Sequence, residues 1–180
     1  MEKEKIYNIR EKYTYVKVLL YIYPQLNWII QQERQRVCNG ALFSYKCDYD
    51  ADRLVDELLD KSMHCDRLNY LQIAVRRVLK GLTEKQKAVV EYCYWHKKQR
   101  LKELIKNKRI CLKTVYRSQE TVLSEIAFAL TEIGVDYAWF RENVLCYDWG
   151  VDVFRKVLFK QETWKNLPKP QEKRAIGMRA

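Results

Sequence analysis

The stretch Glu103-Leu104-Ile105-Lys106-Asn107-Lys108-Arg109-Ile110-Cys111-Leu112-Lys113-Thr114-Val115-Tyr116-Arg117 decides the fold. Leu104 and Ile105 fall on a short helix, Ile110 at a turn, and Val115 one turn into a following helix. Apolar residues at those four points can meet in one small core and hold two helices at a steep angle. The second helix then turns its opposite face outward.

The flanks extend the pattern. Upstream, Thr83-Glu84-Lys85-Gln86 is a capping box, in which the Thr hydroxyl and the Gln side chain each serve an otherwise orphaned amide. It opens a helix carrying Val89, Val90, Cys93 and Tyr94 that should fade near Lys97. A short helix over Leu101 to Lys106, a turn at 107–110 and a long helix over Leu112 to Ile133 follow, and Gly134 ends the last. No strand is expected in 99–120. Beyond it, Asp136 can cap a helix through Leu145, and residues 151–165 form another. Residues 167–180, with Pro168 and Pro170, read as a flexible tail.

The first 81 residues also read as helices. Ile6, Ile9, Tyr13, Val16, Leu20 and Tyr23 recur at helical spacing. Pro24 is expected to end that helix and start a second, with Leu26, Ile29, Ile30 and Val37, that stops at Asn39-Gly40. Residues 41–49 form a loop. Asp50 caps the next stretch, which carries Leu54, Val55, Leu58, Leu59, Leu68, Leu71, Val75, Val78 and Leu79. That stretch is one long helix, or two joined near His64–Asp66, and ends at Gly81. The N-terminal helices carry surplus aromatic surface in Tyr13, Tyr21, Tyr23 and Trp28, and are expected to pack on the 50–80 helix or to mediate dimerisation.

Composition agrees with an all-α fold. Among 180 residues there are 5 Gly and 3 Pro, too few for the turns of an all-β chain, and 48% hydrophobic residues supply a core. The organisation expected is a helical region over 1–81, a helix-turn-helix domain over 82–134, C-terminal helices over 135–166 and the tail. The net charge of +11 is concentrated: residues 83–120 hold 11 Lys/Arg against 4 Asp/Glu, a net +7. Positive charge so gathered attracts polyanions through counterion release.

Other chemistries find little footing. Cys38, Cys47, Cys65, Cys93, Cys111 and Cys146 form no CxxC pair and read as the reduced thiols of a cytoplasmic protein. Cys93 and His96, or His64 beside Cys65, do not assemble a familiar metal-ligand spacing, so they read as core cysteines and surface histidines, with no metal or cofactor expected. Asp148 and Asp152 read as helix-start acids. No Walker loop, GxSxG or HExxH occurs, and no enzyme is expected. The longest apolar run, Val18 to Tyr23, is too short to span a bilayer.

The segment Leu82 to Gly134 resembles region 4 of bacterial sigma-70-type factors and the related sigma-like helix-turn-helix regulators. Leu82-Thr83-Glu84-Lys85-Gln86-Lys87-Ala88-Val89-Val90-Glu91 is similar to the family's opening phrase. Glu103-Leu104-Ile105 stands where the family has "E-I-A", and Lys113-Thr114-Val115-Tyr116-Arg117 where it has "S-T-V-Y/R", with no gap between them. Ile105 replaces the usual Ala, Arg109 the usual turn Gly, and Cys111 the usual Ser/Thr cap. The aromatic-rich melting helix of a complete sigma factor is absent. The N-terminal stretch Tyr15-Val16-Lys17-Val18-Leu19-Leu20-Tyr21-Ile22-Tyr23-Pro24 looks like the small phage- or mobile-element-derived activators of the ArpU/RinA type.

The resemblance implies sequence-specific binding of double-stranded DNA by a transcription regulator, with RNA polymerase and a second copy of the chain (a homodimer) as further partners. By position it places Leu112, Lys113, Tyr116 and Arg117 against base edges. Lys97, Lys98, Arg100, Lys102, Lys106, Lys108 and Arg109 surround the motif and suit phosphate contacts. Two other functions share these features: a phage packaging or replication protein that binds DNA for another purpose, and a helical interaction adaptor that binds none.

Overall fold

Helix α1 covers Glu2–Ser44 and α2 covers Ala51–Gly81. A computed structural model describes residues 2–44, 51–107 and 111–166. Among the described residues five helices follow in order: α3 (Glu84–Tyr94), α4 (Gln99–Lys106), α5 (Leu112–Glu132), α6 (Tyr137–Asn143) and α7 (Asp148–Asn166). The described residues contain no strand, so the fold is all-α.

Pro24 does not divide α1. The helix runs through it because burial outweighs propensity: Val16, Val18, Leu19, Leu20 and Ile22 before the proline and Leu26 and Ile30 after it are all buried. Pro24 itself faces solvent, and the Leu20 carbonyl, which it cannot serve, accepts the Trp95 indole N–H. The helix also continues past Asn39-Gly40, where the Gln35 amide donates to the Asn39 side chain. The expected cap Asp50 lies outside the described residues, and so does the tail from Leu167. The 50–80 stretch is a single helix, unbroken at His64–Asp66.

α1 is the spine of the molecule and packs against α2, α3, α5, α6 and α7. α1 and α2 run antiparallel: Val16, Leu19 and Leu20 meet Val75, Val78 and Leu79, while Gly40 lies against Leu58. Ile126 and Leu130 of α5 complete that layer. One hydrophobic core therefore extends across the expected boundaries at 81/82 and 134/135, from Tyr15 to Val157.

Local signals set the helix ends. The Thr83 capping box is formed, with the Gln86 amide donating to the Thr83 hydroxyl oxygen (3.4 Å) and the Thr83 amide to the Gln86 side chain (2.8 Å). Gly134 adopts φ +83° and closes α5 in a Schellman motif, the Val135 amide donating to the Leu130 carbonyl at 2.9 Å. Asp136 caps α6 by accepting the Trp139 amide at 2.8 Å. α7 begins at Asp148, three residues before its expected start. Its Gly150 touches the end of α6, where an added Cβ would lie 2.0 Å from the Val144 carbonyl oxygen.

α1 packs on α2 as expected, and its aromatics also reach other helices. Tyr13 donates to Ser124 of α5 (3.2 Å), Tyr21 meets Tyr94 edge-on, and Tyr23 stacks on Trp95, because α1 is covered on that side by α3 and α5. Trp28 is 64% exposed. His64 is not a surface histidine: it is buried and stacks on Tyr147, with ring centres 3.5 Å apart. Burial, with Arg67 nearby, lowers its pKa to about 4. No helix among the described residues is long and apolar enough to cross a membrane.

Candidate nucleic-acid interface

Three helices build the basic corner: α3 with 11 residues, α4 with 8 and α5 with 21. α3 packs on both α4 and α5. α4 rests mainly on α3, and the four apolar residues expected to form a small core between α4 and α5 are not all brought together. Leu104 and Val115 are buried, whereas Ile105 is on the exposed rim of α4, and Ile110 lies outside the described residues. Leu101, three residues before Leu104 and on the same helix face, is buried with it. His96 makes the corner between α3 and α4 with φ 55°, a left-handed backbone uncommon for a residue with a Cβ.

α5 begins at Cys111, whose extended backbone (φ −119°, ψ 158°) is that of an N-cap. Its sulfur lies 3.0 Å from the Thr114 hydroxyl. Hydrogen bonding to Thr114 holds the Cys111 thiol below its ordinary pKa. Val115 is fully buried, which fixes the rotation of the helix. Leu112, Lys113, Tyr116 and Arg117 are consequently exposed together, since positions i, i+1, i+4 and i+5 share one face. The Tyr116 hydroxyl is 3.3 Å from that of Tyr92 on α3, and the two rings meet edge-on. That contact raises the Tyr116 pKa. Tyr92 is the participant that sequence reasoning missed; it stands two residues before Tyr94 in an already assigned helix, and only the α3–α5 packing brings it to Tyr116.

The expected phosphate contacts divide into three groups. Lys97, Lys98, Lys102 and Lys106 are exposed. Lys102 and Lys106 share a face of α4, and the Lys97 ammonium lies 5.7 Å from the centre of the Trp95 ring. Lys108 and Arg109 lie outside the described residues. Arg100 is turned inward to α3. Its Nε donates to Glu91 at 3.0 Å and its Nη1 to Glu84, and these carboxylates raise its pKa. Glu84, held by Lys87 and Arg100, stays ionised below the usual carboxylate range. Arg100 is therefore a clasp between α4 and α3 rather than an open cation. The sequence placed it among outward-facing lysines and had no means of pairing it with acids nine and sixteen positions earlier.

Among the described residues no three or more His, Cys, Asp or Glu gather as metal ligands would. Compared with known proteins, the chain matches no family model, no curated protein and no solved structure.

Proposed function

We propose that this chain binds double-stranded DNA sequence-specifically and acts as a transcription regulator. The observation that carries the reading is the start of α5, where a buried Val115 forces Lys113, Tyr116 and Arg117 outward as one polar face. An α-helix bearing such a face fits the major groove, where Arg and Lys donate to guanine O6 and N7. Four open lysines, Lys97, Lys98, Lys102 and Lys106, flank it at the distance of one helix and one corner and suit the phosphate backbone. The local net charge of +7 over 83–120 supplies the attraction. The test is a titration of duplex affinity against salt, followed by competition with duplexes randomised one position at a time. Affinity that is independent of salt, or equal for all sequences, rejects the reading.

A homodimer belongs to the same proposal. Val55, Leu59 and Met63 recur every four residues along α2, each at least half exposed, and make an apolar stripe on the far end of the α1–α2 pair. A two-fold dimer through that stripe would present two reading helices to paired half-sites. The stripe equally favours the adaptor reading, in which a partner protein such as RNA polymerase covers it. Sedimentation of the chain alone and with duplex separates the two.

A further inference from the structure

A cavity of about 410 Å³ opens where α1 and α2 meet the corner between α3 and α4. Its size falls within the range of small-ligand sites, roughly 300–1,000 Å³. One wall is aromatic. Tyr23 and Trp95 lie nearly parallel, 5.8 Å between ring centres and 23° between planes. That wall is fixed in place, because the Trp95 indole N–H is tied to the Leu20 carbonyl at 2.8 Å. Leu79 and Val90 add apolar surface beside it.

The remaining lining is charged and does not cancel. Four cations and two carboxylates face the cavity. Glu91 is taken by Arg100, and Glu84 by Lys87 and Arg100. Arg76 and Lys80 have no carboxylate within ion-pair distance among the described residues. They are four residues apart on α2 and thus project from one face of it. A rigid aromatic pair and two uncommitted cations lining the same cavity suit a planar group joined to an anion. An Arg fork and a Lys ammonium side by side favour phosphate, which accepts from both.

We infer that this cavity is a binding site for a small aromatic phosphate of the size of a nucleoside monophosphate. Its phosphate is held by Arg76 and Lys80, and its ring lies against Tyr23 and Trp95. The site is separate from the exposed face of α5 and does not rest on the DNA reading. A ligand there touches α1 and α2 on one side and α3 and α4 on the other, so it ties the basic corner to the spine.

The experiment is calorimetry on the full chain with the five common nucleoside monophosphates, the matching nucleosides and inorganic phosphate. At least one monophosphate should bind with micromolar Kd, and its nucleoside and inorganic phosphate should each bind at least tenfold more weakly. The double variant Arg76→Ala/Lys80→Ala, altered at two exposed positions, should weaken that binding at least tenfold while keeping the unfolding midpoint of the ligand-free chain. Tyr23→Leu should weaken the monophosphate more than inorganic phosphate. Three results overturn the inference. One is no binding by any monophosphate below millimolar concentration. Another is equal binding of monophosphate and inorganic phosphate. The third is a double variant that binds no nucleotide differently but lowers the salt slope of duplex binding by about two units, since each lost phosphate contact removes about 0.9; Arg76 and Lys80 would then belong to a DNA track.

Discussion

The indole N–H of Trp95 donates to the main-chain carbonyl of Leu20 at 2.8 Å. Pro24 stands four residues beyond Leu20 and has no N–H, so α1 cannot close that bond itself. A side chain from the end of α3 completes the hydrogen bonding of a helix 75 positions earlier. The proline thereby becomes a docking point rather than a break.

This relationship predicts a coupling. Trp95→Phe should cost about 1–3 kcal/mol, because the Leu20 carbonyl is left without a donor. In a Pro24→Ala background the helix supplies its own N–H, and Trp95→Phe should cost clearly less. Urea unfolding of the four proteins of the cycle measures this. Equal costs in both backgrounds would mean that the Trp95 bond contributes only packing.

Specificity should reside in Arg117. It is exposed on the face of α5 shared with Lys113. Arg117→Ala should lose about 1–3 kcal/mol on the preferred duplex and much less on random DNA, with the loss confined to one base pair. A loss spread evenly over all sequences would reduce Arg117 to a phosphate contact. No loss with an intact fold would favour the adaptor reading.

Lys98 and Arg100 are two residues apart and should behave oppositely. Lys98→Ala, at an open position, should lower the salt slope of duplex binding by about 0.9 and leave the unfolding midpoint unchanged. Arg100→Ala releases Glu91, whose side chain is only 17% exposed, and should cost stability of about 1 kcal/mol with no change in slope. A reduced slope in the Arg100 variant would show that the clasp opens on DNA.

Gly150→Ala should be among the more damaging small changes. Its Cβ would lie 2.0 Å from the Val144 carbonyl oxygen, a backbone atom that moves only with the end of α6. Overpacking of this kind costs about 1–3 kcal/mol. Thermal unfolding reads it directly, and a midpoint equal to that of the parent would mean that the α6–α7 junction is loose.

Acid should destabilise the chain through His64. The folded pKa of about 4 is below the ordinary value of 6.5, so the unfolded chain binds the extra proton first. The His64 contribution is complete above about pH 6.5 and is lost as pH falls towards 4, at a slope of at most about 1.4 kcal/mol per pH unit. His64→Phe should flatten the unfolding free energy over that window. An unchanged slope would assign the acid sensitivity elsewhere.

What could be read from the sequence was local. The Thr83–Gln86 box, Gly134 and Asp136 each act within a few residues, and all three set helix ends as their types require. Val115 gave the rotation of α5 and with it the exposed set Leu112, Lys113, Tyr116 and Arg117. What could not be read depended on distant partners. Pro24 carries a breaking signal that Trp95 and a continuous buried stripe override. Arg100 resembles its lysine neighbours until Glu84 and Glu91 are brought to it. His64 is polar and unpatterned, and it is buried where Tyr147, 83 positions later, stacks on it.

α5 serves two masters along its length. Its first two turns bury Val115 and hold Leu112, Lys113, Tyr116 and Arg117 in solvent, while Val122, Leu123, Ile126, Ala127 and Leu130 further on are buried in the core shared with the spine. The segment 82–134 is therefore not a portable cassette. Excised, it would carry a bare greasy flank and lose the beam that keeps its axis straight. Any retuning of the exposed face has to be done in place, by exchanging side chains within the first two turns, because transplanting the segment onto another scaffold would leave its anchor behind.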